Sequence, residues 1–201
     1  MKYNMHIHSK YSYDGILEPK AIVKITMKRG LNGIAITDHN TIKGALEAKK
    51  YETDDLKVIA GSEIKTERRE IIGLFLEEEI SSRDFYEVID RIKEQNGIVV
   101  VPHPFDKLRK STFTPTKEDV MFIDCIEGFN SRCIFQRYNK EAINFAIKHG
   151  LKIVAGSDAY FRNEIGNAGI ETNEEDIGKA ISNGEIKIFG KKIIDNKSCY
   201  D

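Results

Sequence analysis

Short, unbroken apolar runs constrain this chain more than any other feature. Ile34-Ala35-Ile36 and Ile98 to Val101 contain no polar residue. A strand that reads this way is buried on both faces, as in parallel sheets covered by helices. Further strands are expected over 3–7, 56–60, 70–76, 122–126, 151–155 and 186–189. Between them fall stretches of helical period, over 19–29, 42–51, 83–95, 136–149 and 174–182. The helix over 83–95 carries Phe85, Val88, Ile89 and Ile92 on one face. Pro19 opens the first helix, and Gly30, Gly97 and Gly150 close three of them.

Strand and helix alternate without a low-complexity linker or internal repeat, which predicts an α/β fold with a parallel sheet. About seven β/α units predict a small barrel rather than an open sheet. A length of 201 residues fits one domain over 1–201.

Composition excludes several functions. With 31 basic and 32 acidic side chains, the net charge of -1 leaves no footprint for long nucleic acid. Apolar runs stop far short of the roughly 20 residues of a membrane span. Polar Lys2, Asn4, His6 and His8 stand where a signal peptide needs an apolar run. Cys125, Cys133 and Cys199 form no C-x-x-C pair and read as reduced thiols. A cytoplasmic protein is expected.

The polar residues that matter share one position. His6 and His8, Asp38 and His39, Glu63, His103 and Asp158 each lie at or just past the C-terminal end of an apolar strand. In a barrel those ends form one rim, where sites are built. His6 and His8 also lie two apart, on one face of a strand. Mixed imidazole and carboxylate donors suit zinc, manganese or iron, with magnesium a further option. The fifth histidine, His149, reads as a cation at a helix C-terminus.

Four motifs carry these residues: His6-Ile7-His8 with Tyr11-Ser12-Tyr13-Asp14-Gly15, Thr37-Asp38-His39-Asn40-Thr41, Pro102-His103-Pro104 and Gly156-Ser157-Asp158-Ala159. In order and strand context they resemble the PHP (polymerase and histidinol phosphatase) domain family. The resemblance implies a distorted (β/α)7 barrel with two or three divalent ions that hydrolyses phosphate esters. It implies a first ion on His6, His8, Glu63 and Asp158, and a second shared by Glu63 and bound by His103. A third would use Asp14, His39 and a histidine two residues after Asp158. Two positions depart from the pattern. Glu70 stands where many relatives place a histidine and can ligate through oxygen. Tyr160 stands where the last histidine is usual, and a neutral phenol is a poor ligand.

A carboxylate-bridged ion pair would acidify a shared water for attack on phosphorus. Arg132 is expected to neutralise phosphoryl charge, with Tyr160 and Arg162 contacting substrate and Lys107, Arg109 and Lys110 as further rim cations. Asp38 or His39 could protonate the leaving oxygen, although Asp38 also suits a role behind a ligand. The expected partner is a small phosphomonoester or short nucleotide. Two other readings compete: a catalytically weakened barrel serving as a binding scaffold, and a metal-dependent C–N hydrolase, which shares the H-x-H opening.

Overall fold

The computed structural model describes residues 1–191, so Cys199 lies outside the described residues. Its strands are β1 (Lys2–Asn4), β2 (Gly33–Ile36), β3 (Lys57–Thr66), β4 (Arg69–Leu74), β5 (Ile98–Val101), β6 (Cys125–Asn130), β7 (Lys152–Gly156), β8 (Ala168–Glu171) and β9 (Lys187–Gly190). Its helices are α1 (Pro19–Lys28), α2 (Lys43–Lys49), α3 (Phe85–Glu94), α4 (Gln136–His149) and α5 (Ile177–Asn183). The strands form one sheet in the order β7-β6-β5-β4-β3-β2-β1-β8-β9, which curls into a nearly closed barrel.

The barrel matches the expectation; the all-parallel sheet does not. Strands β1, β2 and β3 are parallel, as are β5, β6 and β7. Between the two sets β4 runs antiparallel to both neighbours, because β3 continues to Thr66 and folds straight back through Glu67 and Arg68. Strands β8 and β9 also pair antiparallel. The strand expected over 122–126 begins later. Glu118–Phe122 forms a 3₁₀ turn, and β6 runs on to Asn130 with a register shift between Glu127 and Phe129.

Side chains alternate across the sheet as the two-residue strand period requires. Ile34, Ile36, Val58 and Ala60 pack outward with Ile22, Val23 and Ala45 of α1 and α2. Val99, Val101 and Ile126 pack with Phe85, Ile89 and Ile92 of α3 and with Ala142 and Ala146 of α4. Their strand neighbours Ala35, Ile59, Val100 and Val154 turn the other way and fill the barrel with Tyr3 and Ile177, Ala180 and Ile181 of α5. Ile181 and Ser182 also line a cleft with Ile98, Cys125 and Lys152, so α5 crosses the strands' N-terminal ends. The C-terminal ends stay open for polar chemistry.

Closure happens at that open rim. Ile7 and Ala159 form an isolated parallel bridge. The Asp158 amide donates to His6 O at 2.8 Å, and the His8 amide donates to Ala159 O at 2.9 Å. The Asn4 side chain adds two bonds to Ser157. Gly156 lets the two segments meet: a Cβ there would collide with the His6 side chain and stand 2.7 Å from Glu127 Oε1.

Candidate metal centre

The closing segments bring His6, His8 and Asp158 together, and β3 delivers Glu63 to the same point. His6 Nε2 and His8 Nε2 are 3.1 Å apart. Glu63 Oε2 lies 3.5 Å from His6 Nε2 and 3.4 Å from His8 Nε2. Asp158 Oδ1 lies 3.6 Å from His6 Nε2 and 3.3 Å from His8 Nε2. Metal–donor bonds of about 2.0–2.2 Å put the corners of a tetrahedral site about 3.3–3.6 Å apart. His6, His8 and Asp158 therefore stand at the spacing of one coordination shell, and Glu63 groups equally closely with His8 and His39.

Beside them lies a second set. His103 Nε2 is 2.9 Å from Glu63 Oε1 and 3.9 Å from Glu70 Oε2. Glu63 thus faces one group of imidazoles with each oxygen, which is the geometry of a bridging carboxylate. His39 Nδ1 is 3.3 Å from Glu63 Oε2 and 3.9 Å from Glu70 Oε1. On its other side His39 Nε2 is 3.5 Å from Asp14 Oδ2 and 3.5 Å from the Tyr160 hydroxyl. His103 and Asp158 adopt left-handed backbone, with φ of 32° and 53°. Non-glycine residues seldom do so, and such strain collects at functional sites.

Three of the inner donors are held from behind. His6 Nδ1 lies 3.0 Å from Glu127 Oε1, while Glu127 Oε2 accepts from the His103 amide at 2.7 Å and Asn130 Nδ2 at 2.9 Å. This turns the His6 Nε2 lone pair toward the cluster. His8 Nδ1 lies 3.1 Å from Ser12 Oγ. Ser12 Oγ in turn donates to Asp38 Oδ1 and accepts from the His39 amide. Asp38 is fully buried, and its oxygens take the Ser9 amide and hydroxyl, each at 2.6 Å. It stands behind the donors and outside the cluster. Arg109 Nη1 holds Asp158 Oδ2 at 2.7 Å.

The carboxylates draw positive charge into the cluster. Burial pushes the His6 imidazole toward neutrality, but the carboxylates of Glu127, Asp158 and Glu63 outweigh it and raise its pKa well above the usual value. Burial works against ionised Glu63, yet His6 and His103 hold its pKa well below the carboxylate range. Asp158 is likewise depressed, against its burial, by Arg109, His6 and His8. Glu70 goes the other way: burial, then the charge of Glu63, raises it to about 8. Asp158 Oδ1 and His103 Nδ1 are buried with no hydrogen-bond partner. Several carboxylates turned onto imidazoles, with an acceptor oxygen aimed into their midst, fit a divalent ion in size, charge and donor type.

The remaining expected residues line the mouth. Arg132 Nη1 bonds both oxygens of Glu164, at 2.8 and 2.9 Å, and its guanidinium lies 4.8 Å from the Tyr160 ring centre. A cleft of about 470 Å³ is lined by Asp14, Arg109, Arg132, Tyr160 and Phe161. Arg162 and Lys107 are exposed and form no ion pair among the described residues. Sequence reading passed over Glu127, Ser12 and Glu164, and left Arg109 as one rim cation among several. The signal for Glu127 is faint: one acid in a short strand, facing inward by the same alternation that turns Cys125 in and Ile126 out.

The model of the PHP domain family matches residues 4–113, and one described as PHP-associated matches residues 136–186. An uncharacterized protein of Methanocaldococcus jannaschii is 40% identical over 163 residues, covering 74% of this chain and 92% of its own length. Another from that organism is 37% identical over 186 residues, covering 89% of this chain and 73% of its own. Among solved structures, a two-domain protein of Bacteroides vulgatus, described as containing a predicted PHP-like metal-dependent phosphoesterase, superposes with a TM-score of 0.78 at 20% identity. The match takes in 94% of this chain and 64% of that one, so this chain spans just under two thirds of that neighbour.

Proposed function

The chain belongs to the PHP domain family, and from that premise we propose that it is a metal-dependent hydrolase of phosphate esters on small phosphorylated substrates. One observation carries the reading: His6, His8 and Asp158 bring three buried donor atoms to coordination spacing, with Glu63 Oε2 as near to both imidazoles. His6, His8, Glu63 and Asp158 would hold one ion, and Glu63, His103 and Glu70 a second, with His39 within reach of both. Divalent ions there supply charge neutralisation on phosphoryl oxygens and lower the pKa of water.

The chain's own groups do the rest. Glu127 and Ser12 orient His6 and His8, and Arg109 fixes Asp158 so that Oδ1 points inward. Asp38 has both oxygens engaged, so its work is to hold Ser9 and Ser12 in place. His39 Nε2, facing the mouth, is the group suited to protonate a leaving oxygen. Arg132 and Tyr160 would meet substrate from the mouth. Clefts of about 470 and 430 Å³ suit small ligands.

The test is turnover of p-nitrophenyl phosphate and bis(p-nitrophenyl) phosphate with manganese, zinc, iron or magnesium. Turnover with at least one metal, lost in His6→Ala/His8→Ala, is expected. No turnover with any metal, or full turnover in the double variant, sinks the proposal. Tyr160 in the outer set favours a second reading, a scaffold without catalysis. Fewer than about one bound ion per chain after metal-replete purification would favour that scaffold.

A further inference from the structure

Ring contacts link four aromatic side chains of the site. Tyr160 stacks on His8 with centroids 4.4 Å apart, His8 meets His39 at 4.7 Å and a 30° tilt, and Tyr13 stacks on His39 at 4.8 Å and 20°. The two tyrosines differ. The Tyr160 ring carries the Arg132 guanidinium. Tyr13 is 84% exposed and, among the described residues, carries no cation on its ring. A large, flat apolar ring held in register by a buried histidine and left open to water is a stacking platform.

Tyr13 also borders a second cleft of about 430 Å³, lined in part by His39, Glu70, Lys65, Arg69 and Lys110. The cations of the two clefts differ. Arg109 and Arg132, in the first, are already paired with Asp158 and Glu164. Lys65, Arg69 and Lys110 are exposed, and among the described residues none forms an ion pair. The β3–β4 hairpin supplies Lys65 and Arg69, and Lys110 lines the same cleft. Three free positive charges beside an open aromatic face, next to the donors, call for a ligand with a planar group and more than one anionic group.

We propose that this cleft is a nucleotide subsite. The base stacks on Tyr13, opposite the face that His39 covers. A phosphate other than the one being cleaved meets Lys65, Arg69 and Lys110. The inference rests on the phosphoesterase reading for what is cleaved, but base and phosphate recognition are testable without cleavage.

Calorimetric titration of the full chain in EDTA, where no turnover occurs, separates the two. The probes are ADP, AMP, ribose 5-phosphate, pyrophosphate and a 5′-phosphorylated dinucleotide. ADP should bind at least about tenfold more tightly than pyrophosphate or ribose 5-phosphate, and more tightly than AMP. In Tyr13→Ala the preference of ADP over pyrophosphate should collapse, while Tyr13→Phe keeps it. In Lys65→Ala/Lys110→Ala the preference of ADP over AMP should collapse. Tighter binding of the dinucleotide than of ADP identifies an oligonucleotide end as the source, and the reverse identifies a free nucleotide. Equal binding of base-bearing and base-free probes, or equal losses for all probes in Tyr13→Ala, overturns the subsite. Hydrolysis of p-nitrophenyl phosphate by the metal-loaded chain then tells the failures apart. Turnover without base preference refutes the subsite alone; base preference without turnover refutes the hydrolase alone.

Discussion

The inner and outer parts of the donor cluster are built differently. His6, His8, Glu63 and Asp158 are each at most 1% exposed. His6, His8 and Asp158 lean on Glu127, Ser12 and Arg109. Outside them, the Asp14 side chain is 35% exposed, His39 is stacked under a solvent-facing tyrosine, and Tyr160 offers a phenol. Burial pushes that phenol's pKa up, with Asp158 and Glu63 adding to it, so it stays protonated. Locked orientation and dehydration would make the inner set the stronger site; the exposure of Asp14 and a neutral phenol would make the outer set the weaker.

Substitutions can break or sharpen this contrast. The largest effect belongs to His6→Ala/His8→Ala, which should abolish bound metal and cut turnover by about a thousandfold or more. Retained metal by elemental analysis would place the strong site elsewhere. Next comes Glu127→Gln, which removes a charge and no donor. Metal affinity by competition with a fluorescent chelator should fall about 10–100-fold. An unchanged affinity would mean that support from behind does not distinguish the two sets. Smaller again is Tyr160→His, which should add up to one ion per chain in the same elemental analysis and raise turnover several-fold. If no ion is gained, the outer set is weak for reasons other than the phenol. The smallest effect is that of Asp14→Asn, which should weaken the tightest-bound ion by less than about threefold. A loss as large as that of Glu127→Gln would erase the contrast.

The same division decides what the sequence made legible. Apolar strands ending in His, Asp or Glu pointed to His6, His8, Glu63, His103 and Asp158, because strand period and end position are local properties. The groups behind them depend on distant pairing. Glu127 is one acid in a strand, and only the approach of His6 across 121 residues gives it a role. Arg109 sits in an irregular segment and looked like its lysine neighbours until the fold set it on Asp158. Strand β8, the short Ala-Gly-Ile-Glu of 168–171, has little strand propensity of its own and exists by pairing with β1 and β9. A charged turn at Glu67 to Arg69 is legible, but not that it folds β4 back on β3, because it lacks the usual glycine or asparagine hairpin signature.

The bridge between Ile7 and Ala159 has a consequence for timing. It joins two segments whose partners, such as His6 and Ser157, are 151 residues apart in the chain. Contacts of such long range form late in folding, and on a ribosome one partner is made well before the other exists. His6 and His8 therefore emerge as a pair of loose imidazoles and become half of a rigid shell only when Asp158 arrives. Ion capture at the inner site would then be a finishing step, with the ion set by what surrounds the completed chain rather than the growing one.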